Sequence, residues 1–231
     1  MNIPQNWTFK DAGVAEGFDR HVREQLPWYD LTTGMIAHIA RHYIPENGLV
    51  YDIGASTGNI GNAIAETLKS RNARLVAIEN SAQMTELYAG PGELAIADAT
   101  EFDFEPCDFV VCFLVLMFIK PTLRSGLLSR ILKSLNPGGA MVIVDKCAPV
   151  AGYPSVVLQR LALAGKIAAG VPATEVVEKE LSLGGVQRPL CPEELPISTI
   201  DVFRFGDFAG WLVEKPIACP KNNVVCVIEK I

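Results

Sequence analysis

Three acidic residues, Asp52, Glu79 and Asp98, each follow a short apolar run, and this is the most informative chemical pattern in the chain. Each run is typical of a buried strand. A loop of glycine and small residues, 54–58, follows Asp52 and leads into a helical pattern. Glycine lets the backbone turn sharply and lets a ligand approach it closely. The pattern predicts a ligand site at the carboxyl ends of parallel strands.

The charge of Asp52 indicates which ligand the site takes. A carboxylate here would repel a pyrophosphate held at the start of the next helix, and it would attract an ammonium or a sulfonium. The loop therefore favours S-adenosylmethionine, or its product S-adenosylhomocysteine, over NAD or ATP.

Each acid is assigned to one part of this ligand. Asp52 and the loop would hold the methionine end. Glu79, about 20 residues beyond the loop, would accept hydrogen bonds from the ribose diol. Asp98 would accept from the adenine amine. The candidate cofactor-binding residues are Asp52, Gly54, Ala55, Ser56, Gly58, Glu79, Asn80, Asp98, Ala99 and Phe113.

Alternating strand and helix patterns position these residues. Apolar runs predict strands over 49–51, 74–78, 93–97, 108–114 and 140–144, with helices between them. Residues 1–17 read as a loose polar arm, followed by a helical region over 18–43. Two further helices are predicted over 156–169 and 174–183. Three runs near the end, 202–205, 210–213 and 224–228, compete for a terminal hairpin.

These motifs resemble the class I S-adenosylmethionine-dependent methyltransferases. The resemblance rests on residues 52–58, Glu79, 98–99, 108–114 and 135–139. Ser56 stands where the common family loop has glycine. The resemblance implies an α/β, Rossmann-like fold: a mostly parallel seven-stranded sheet with helices on both faces and an antiparallel C-terminal hairpin. It implies one domain over 1–231, with an N-terminal helical cap at 1–45 and a helical insertion or lid at 147–197.

Residues 50–56, 77–84 and 135–140 also look like the carboxy-S-adenosylmethionine synthase family. That resemblance implies a place in wobble-uridine tRNA modification and a reaction of S-adenosylmethionine with prephenate to give a carboxylated sulfonium. It matches Tyr29 to a ligand-contacting tyrosine. The chain departs from the family at two positions. Glu180 stands where the family has a carboxylate-clamping arginine, with Arg188 nearby, and Phe113 stands where it has an asparagine.

The expected function is therefore transfer of a methyl group from S-adenosylmethionine to a small acceptor. The candidate catalytic residues are Tyr29 and Asp145, with Asp145 as a base for a hydroxyl or amine acceptor. Phe113 and Lys146 are further candidates to face the methyl group. Two alternatives remain: a carboxy-S-adenosylmethionine synthase-like enzyme, for which carboxy-S-adenosylmethionine would be a ligand, and a non-catalytic adenosylmethionine-binding module.

Composition limits the partners. The net charge of −6 and the pI of about 5.2 argue against direct nucleic-acid binding. Arg124, Arg130 and Lys133 are expected to solvate the outer face of a helix. No apolar run is long enough for a membrane span and no signal-peptide pattern is visible, so we expect a cytoplasmic protein. We predict no metal site, and the 147–197 insertion is a candidate homodimer surface.

Overall fold

A seven-stranded sheet forms the centre of the computed structural model, which describes residues 3–149, 151–196 and 198–217. The strands are β1 (Leu49–Ile53), β2 (Arg74–Glu79), β3 (Glu93–Ile96), β4 (Cys107–Phe113), β5 (Leu135–Lys146), β6 (Ile200–Phe205) and β7 (Phe208–Glu214). The helices around them are α1 (Ala12–Gln25), α2 (Tyr29–Tyr43), α3 (Asn59–Ser70), α4 (Ala82–Thr85), α5 (Pro121–Ser134), α6 (Tyr153–Ala168) and α7 (Ala173–Ser182).

The strand order is β3-β2-β1-β4-β5-β7-β6. Strands β1 to β5 pair in parallel, whereas β7 is antiparallel to both β5 and β6. The predicted mostly parallel sheet with an antiparallel terminal hairpin is therefore confirmed. The hairpin uses the first two of the three competing runs, and the third, 224–228, lies outside the described residues.

The sheet core follows from its nearly continuous apolar strands. All five residues of β1 are buried, and in β4 six of seven are buried, because a parallel strand covered on both faces meets no water. β1 lies between β2 and β4, so the chain order reverses direction beside it. Such a switch point opens a crevice at the carboxyl ends of the strands, where Asp52, Glu79 and Phe113 lie.

The N-terminal arm was wrongly expected to be loose. Helix α1 already begins at Ala12, where the Asp11 side chain accepts a hydrogen bond from the Val14 N–H at 3.0 Å. Trp7 is only 3% exposed, and its backbone N–H donates to the Ser182 carbonyl. An indole removed from water in this way fixes the arm against α7.

The expectation that Arg124 solvates the outer face of a helix is wrong. Its side chain is fully buried and forms an ion pair with Glu194 at 3.1 Å. The guanidinium also donates to the carbonyls of Ile119, Arg188 and Pro189. It therefore ties α5 to the segment that precedes β6.

The helices of the insertion expose apolar side chains. Tyr153, Leu161 and Ile167 of α6 are each more than two-fifths exposed. Among the described residues, no helix combines the length and apolar character needed to cross a membrane. The homodimer surface on 147–197 stays a prediction.

Candidate active site

A cavity of about 580 Å³, the first cavity, opens at the carboxyl ends of β1, β2 and β4. It is lined by ten of the twelve predicted site residues: Tyr29, Asp52, Gly54, Ala55, Ser56, Glu79, Asn80, Asp98, Ala99 and Phe113. Gly58 and Asp145 do not line it. The structure thus brings together Asp52 and Asp98, which are 46 residues apart in the chain, because parallel strands end at the same edge of the sheet.

The loop after β1 depends on left-handed backbone. Gly54, Ser56 and Gly58 have φ angles of 70°, 53° and 94°. A Cβ on Gly58 would lie 2.5 Å from the Gly90 amide nitrogen, so this position excludes a side chain. Gly58 precedes α3 as its N-cap instead of lining the cavity. Ser56 keeps the turn at a conformational cost that glycine would avoid.

Asp52 presents an uncompensated carboxylate to the first cavity. It is 1% exposed, and its Oδ2 atom has no hydrogen-bond partner. Burial, and then the charge of Glu79, raise the pKa of Asp52 to about 7. A cation placed beside Oδ2 would stabilise the ionised form and remove this penalty.

Glu79 is held in place by backbone amides. Its Oε2 accepts from the Ser56 N–H at 2.9 Å, and its Oε1 accepts from the Asn80 and Ser81 N–H groups. A carboxylate offers about four lone-pair sites, so acceptor capacity remains for a ligand hydroxyl. The bonds orient Glu79 before any ligand arrives.

The adenine end of the predicted site is more open. Asp98 is exposed, and its Oδ1 accepts from both the N–H and the hydroxyl of Thr100. This leaves its second oxygen available to an exocyclic amine. Ala99 is 9% exposed, and its carbonyl accepts from Arg130 at 2.9 Å.

Aromatic side chains close the inner end of the first cavity. The rings of Tyr29 and Phe113 lie 5.1 Å apart, and the Arg23 guanidinium lies 5.1 Å from the Tyr29 ring centroid. Burial raises the pKa of Tyr29, so its phenol stays protonated.

Leu114, directly after β4, has a φ of 56°. This value is strained for a bulky residue, and such strained positions cluster at functional sites.

The structure does not bring Asp145 to this cavity. Its carboxylate is fully buried and accepts backbone N–H bonds from Leu116, Met117 and Lys146. Burial raises the pKa of Asp145 to about 7 in spite of these bonds. Asp145 therefore holds the segment after β4, and its predicted role as a base gains no support from the lining of the first cavity.

A second cavity of about 440 Å³ adjoins the first. Five residues line both: Trp7, Phe9, Phe18, Leu114 and Phe118. Lys146 lines the second cavity, where its Nζ lies 3.6 Å from Glu180 and 3.4 Å from Asp207. Glu180 also pairs with Lys166 at 2.7 Å. Arg188, by contrast, is exposed and lines neither cavity.

The sequence reasoning missed the arm residues Trp7 and Phe9. The Phe9 ring lies 5.0 Å from that of Phe118, and the Phe9 carbonyl accepts from the Ser81 hydroxyl at 2.6 Å. Two aromatic side chains within an otherwise polar arm were the available signal. Trp7 and Phe9 form part of the wall that the two cavities share.

Comparisons with known sequences agree with this architecture. A family model described as a methyltransferase domain matches residues 50–139. The carboxy-S-adenosyl-L-methionine synthase of Staphylococcus epidermidis is 28% identical over 225 residues, covering 92% of this chain and 98% of that protein. The protein of the same name from Pseudomonas fluorescens is 29% identical, covering 78% of each chain. That from Salmonella paratyphi C is 32% identical over 61% of this chain and 60% of its own length.

Solved structures share the fold at low sequence identity. The plantazolicin methyltransferase in complex with SAH superposes with a TM-score of 0.59 at 13% identity, covering 88% of this chain and 89% of that chain. Human N-acetylserotonin methyltransferase in complex with SAM gives a TM-score of 0.57 at 10% identity, covering 91% of this chain and 58% of that one. These two likenesses show a common fold.

Proposed function

We propose that this chain is a member of the class I S-adenosylmethionine-dependent methyltransferase superfamily, and that it binds S-adenosylmethionine in the first cavity and transfers its methyl group to a small acceptor. The observation that carries the proposal is the unpartnered Oδ2 of Asp52, buried at the end of β1. A buried carboxylate without a partner is costly, and a cationic ligand offsets that cost. The ammonium and sulfonium of S-adenosylmethionine fit this requirement, whereas a diphosphate does not.

The other lining residues suit the rest of the same ligand. Glu79, fixed by three backbone amides, retains acceptor capacity for the ribose hydroxyls. Asp98 has one carboxylate oxygen available to the adenine amine. Tyr29 and Phe113 exclude water from the inner end of the cavity.

The chemistry asks little of the protein beyond position. A sulfonium supplies an already activated methyl group when it is bound. The residues of this chain would orient it, keep the pocket dry and hold the acceptor in line. The second cavity adjoins the first through Leu114 and Phe118 and is large enough for a small organic acceptor. We place the acceptor there, with no assigned role for Asp145 in proton transfer.

A carboxy-S-adenosylmethionine synthase-like reaction is the second candidate. It is supported by the names of the relatives and by Lys146 and Lys166 in the second cavity. Glu180 opposes it, because this residue stands where the synthase family has its arginine. Burial alone would raise the pKa of Glu180, but Lys146 and Lys166 outweigh burial and lower it, so the carboxylate is ionised. An added carboxylate beside it would be repelled.

Calorimetry with S-adenosylmethionine tests the binding step. Asp52→Ala should abolish measurable binding, whereas Asp103→Ala, an exposed acid outside both cavities, should bind like the parent protein. Unchanged affinity in Asp52→Ala would overturn the proposal.

Mass spectrometry separates the reactions. The protein is incubated with S-adenosylmethionine in three ways: alone, with prephenate, and with each member of a panel of small hydroxyl and amine compounds. Methylated acceptor together with S-adenosylhomocysteine supports methyl transfer. A sulfonium heavier by one carboxyl group supports the synthase, and binding without turnover across the panel favours a non-catalytic module.

A further inference from the structure

The second cavity contains an unusual concentration of unpartnered polar atoms. Among the described residues, six buried side-chain nitrogen or oxygen atoms have no hydrogen-bond partner, and four of them belong to residues that line this cavity. They are both ring nitrogens of His21, Oε1 of Gln25 and Oδ1 of Asp207. Buried polar groups are ordinarily hydrogen-bonded, so this set indicates a polar group on a bound molecule.

His21 and Gln25 place this polar wall on α1, one helical turn apart. His21 is 3% exposed and Gln25 is 5% exposed. Asp207 contributes its oxygen from the turn between β6 and β7. Gln25 Oε1 and Asp207 Oδ1 can only accept hydrogen bonds. The cavity therefore matches a ligand group that donates an O–H or N–H.

Either ring nitrogen of His21 is free to accept. The Glu175 Oε1 atom lies 3.9 Å from Nδ1, which is too far for a hydrogen bond. A neutral imidazole carries its proton on one ring nitrogen and a lone pair on the other. Burial, followed by the nearby lysines Lys179 and Lys166, lowers the pKa of His21 to about 3, so the ring is neutral near pH 7.

The lysines around the cavity are largely paired within the protein, and the free acceptor atoms of Gln25 and Asp207 disfavour an anion beside them. Lys146 and Lys166 are already paired with Glu180, and Lys146 also lies near Asp207. Burial lowers the pKa of Lys179 to about 5, so this lysine carries no full charge at pH 7. Arg204, which also lines the cavity, donates from Nε to the Gly206 carbonyl.

The remaining wall is mostly apolar, although the side-chain nitrogen of Lys179 lies over the face of the Trp7 ring. The Trp7 ring stacks on His21 with centroids 5.3 Å apart and an interplanar angle of 27°. Phe18, Leu114 and Phe118 extend this surface to the first cavity. A planar ring could lie against these side chains with its polar group directed at His21.

We propose that the second cavity selects a small, flat, uncharged acceptor whose hydroxyl or amine N–H donates a hydrogen bond to the unprotonated ring nitrogen of His21. This assignment rests on the proposed function, since it names the acceptor class of the same site. His21 would be a specificity-determining residue.

Binding of simple probes tests this selection. Phenol, aniline, anisole, toluene and benzoate are titrated by ligand-observed NMR into the full chain saturated with S-adenosylhomocysteine, in buffer containing EDTA. Phenol and aniline should bind about fivefold more tightly than anisole or toluene, the factor expected for one neutral hydrogen bond. Equal affinity for phenol and anisole, or tightest binding of benzoate, would overturn the proposal.

Two variants locate the effect. His21→Leu should remove the preference for phenol over anisole, and His21→Gln, which retains an acceptor oxygen, should restore part of it. A preference that survives in His21→Leu contradicts the assignment. If His21→Leu does not fold, His21→Gln decides, because a phenol preference as large as that of the parent protein would contradict the assignment to His21.

Two further measurements complete the test: the phenol preference with added Zn²⁺, and the affinity for S-adenosylhomocysteine. His21, Glu24 and Glu175 present ligand atoms within 4.8 Å of one another, so a phenol preference that appears only with added Zn²⁺ would also overturn the proposal. The affinity of the protein for S-adenosylhomocysteine is measured separately. If S-adenosylhomocysteine binds but phenol is not preferred over anisole, this inference fails while the proposed function stands. If S-adenosylhomocysteine does not bind, the proposed function fails whatever the probes show.

Discussion

The backbone N–H of Ser56 donates to Oε2 of Glu79 at 2.9 Å, which joins the loop after β1 to the end of β2. The two halves of the predicted ligand site are therefore mechanically connected before a ligand binds. Ser56 adopts a φ of 53° in this arrangement. The hydrogen bond offsets part of the cost of that left-handed backbone.

Replacing Glu79 should weaken both the fold and the ligand site. Glu79→Ala leaves the N–H groups of Ser56, Asn80 and Ser81 without their acceptor, so we expect a loss of about 2–3 kcal/mol in unfolding free energy. Urea denaturation measures this loss, and calorimetry should show no S-adenosylmethionine binding. Glu79→Gln, which keeps one acceptor oxygen, should lose less stability. Equal stability of Glu79→Ala and the parent protein would contradict the role of these bonds.

Asp52 should make the ligand-free protein less stable as the pH rises. Its pKa is about 7 in the folded chain against an ordinary value of 3.8, so the folded state holds the proton more tightly. The resulting stabilisation is complete below about pH 4 and is lost as the pH rises through 7. We expect the change to be on the order of 4 kcal/mol, at 1.36 kcal/mol per pKa unit.

Urea denaturation between pH 4 and pH 8 checks this dependence on Asp52. Asp52→Asn should show a flatter profile and exceed the parent protein in stability at pH 8. Asp145 is unchanged in both proteins, so its own titration cancels in the comparison. Asp98→Asn, at an exposed position, is the control and should leave the profile unchanged. Parallel profiles for Asp52→Asn and the parent would exclude a raised pKa at Asp52.

A side chain at Gly58 should damage the loop. Gly58→Ala combines a φ of 94° with a Cβ only 2.5 Å from the Gly90 nitrogen, so we expect a loss of about 2–4 kcal/mol. Gly126→Ala is the matched control, because its Cβ meets nothing within 4 Å inside α5. That change should stabilise the protein by up to about 1 kcal/mol. Thermal melting distinguishes the two, and similar shifts for both would refute the steric argument.

Arg124 should be among the least replaceable charged residues. Arg124→Met strands the Glu194 carboxylate and three backbone carbonyls, so a loss of about 3–5 kcal/mol is expected. Lys133→Met, on the exposed face of the same helix, should change stability by less than about 0.5 kcal/mol. Chemical denaturation of both variants gives the comparison. A mild effect of Arg124→Met would show that the ion pair is dispensable.

The sequence by itself determined the elements that depend on local pattern. Short apolar runs specified the parallel strands, and glycines specified the loop after β1, because strand periodicity and turn conformation are properties of neighbouring residues. Nine of the ten predicted site residues that line the first cavity do so for the same reason, since each lies in or after a strand whose carboxyl end meets the others. The tenth, Tyr29, reaches the cavity from the start of α2.

Tertiary structure alone decided what depends on distant partners. Adjacent side chains of a strand point to opposite faces, so the register of β5 buries Asp145 under backbone amides and leaves Lys146 in the second cavity. Arg124 is buried because Glu194, 70 residues away, folds over it. Trp7 and His21 meet only after the arm packs on α7. No local pattern encodes these contacts, because each arises when segments far apart in the chain pack together.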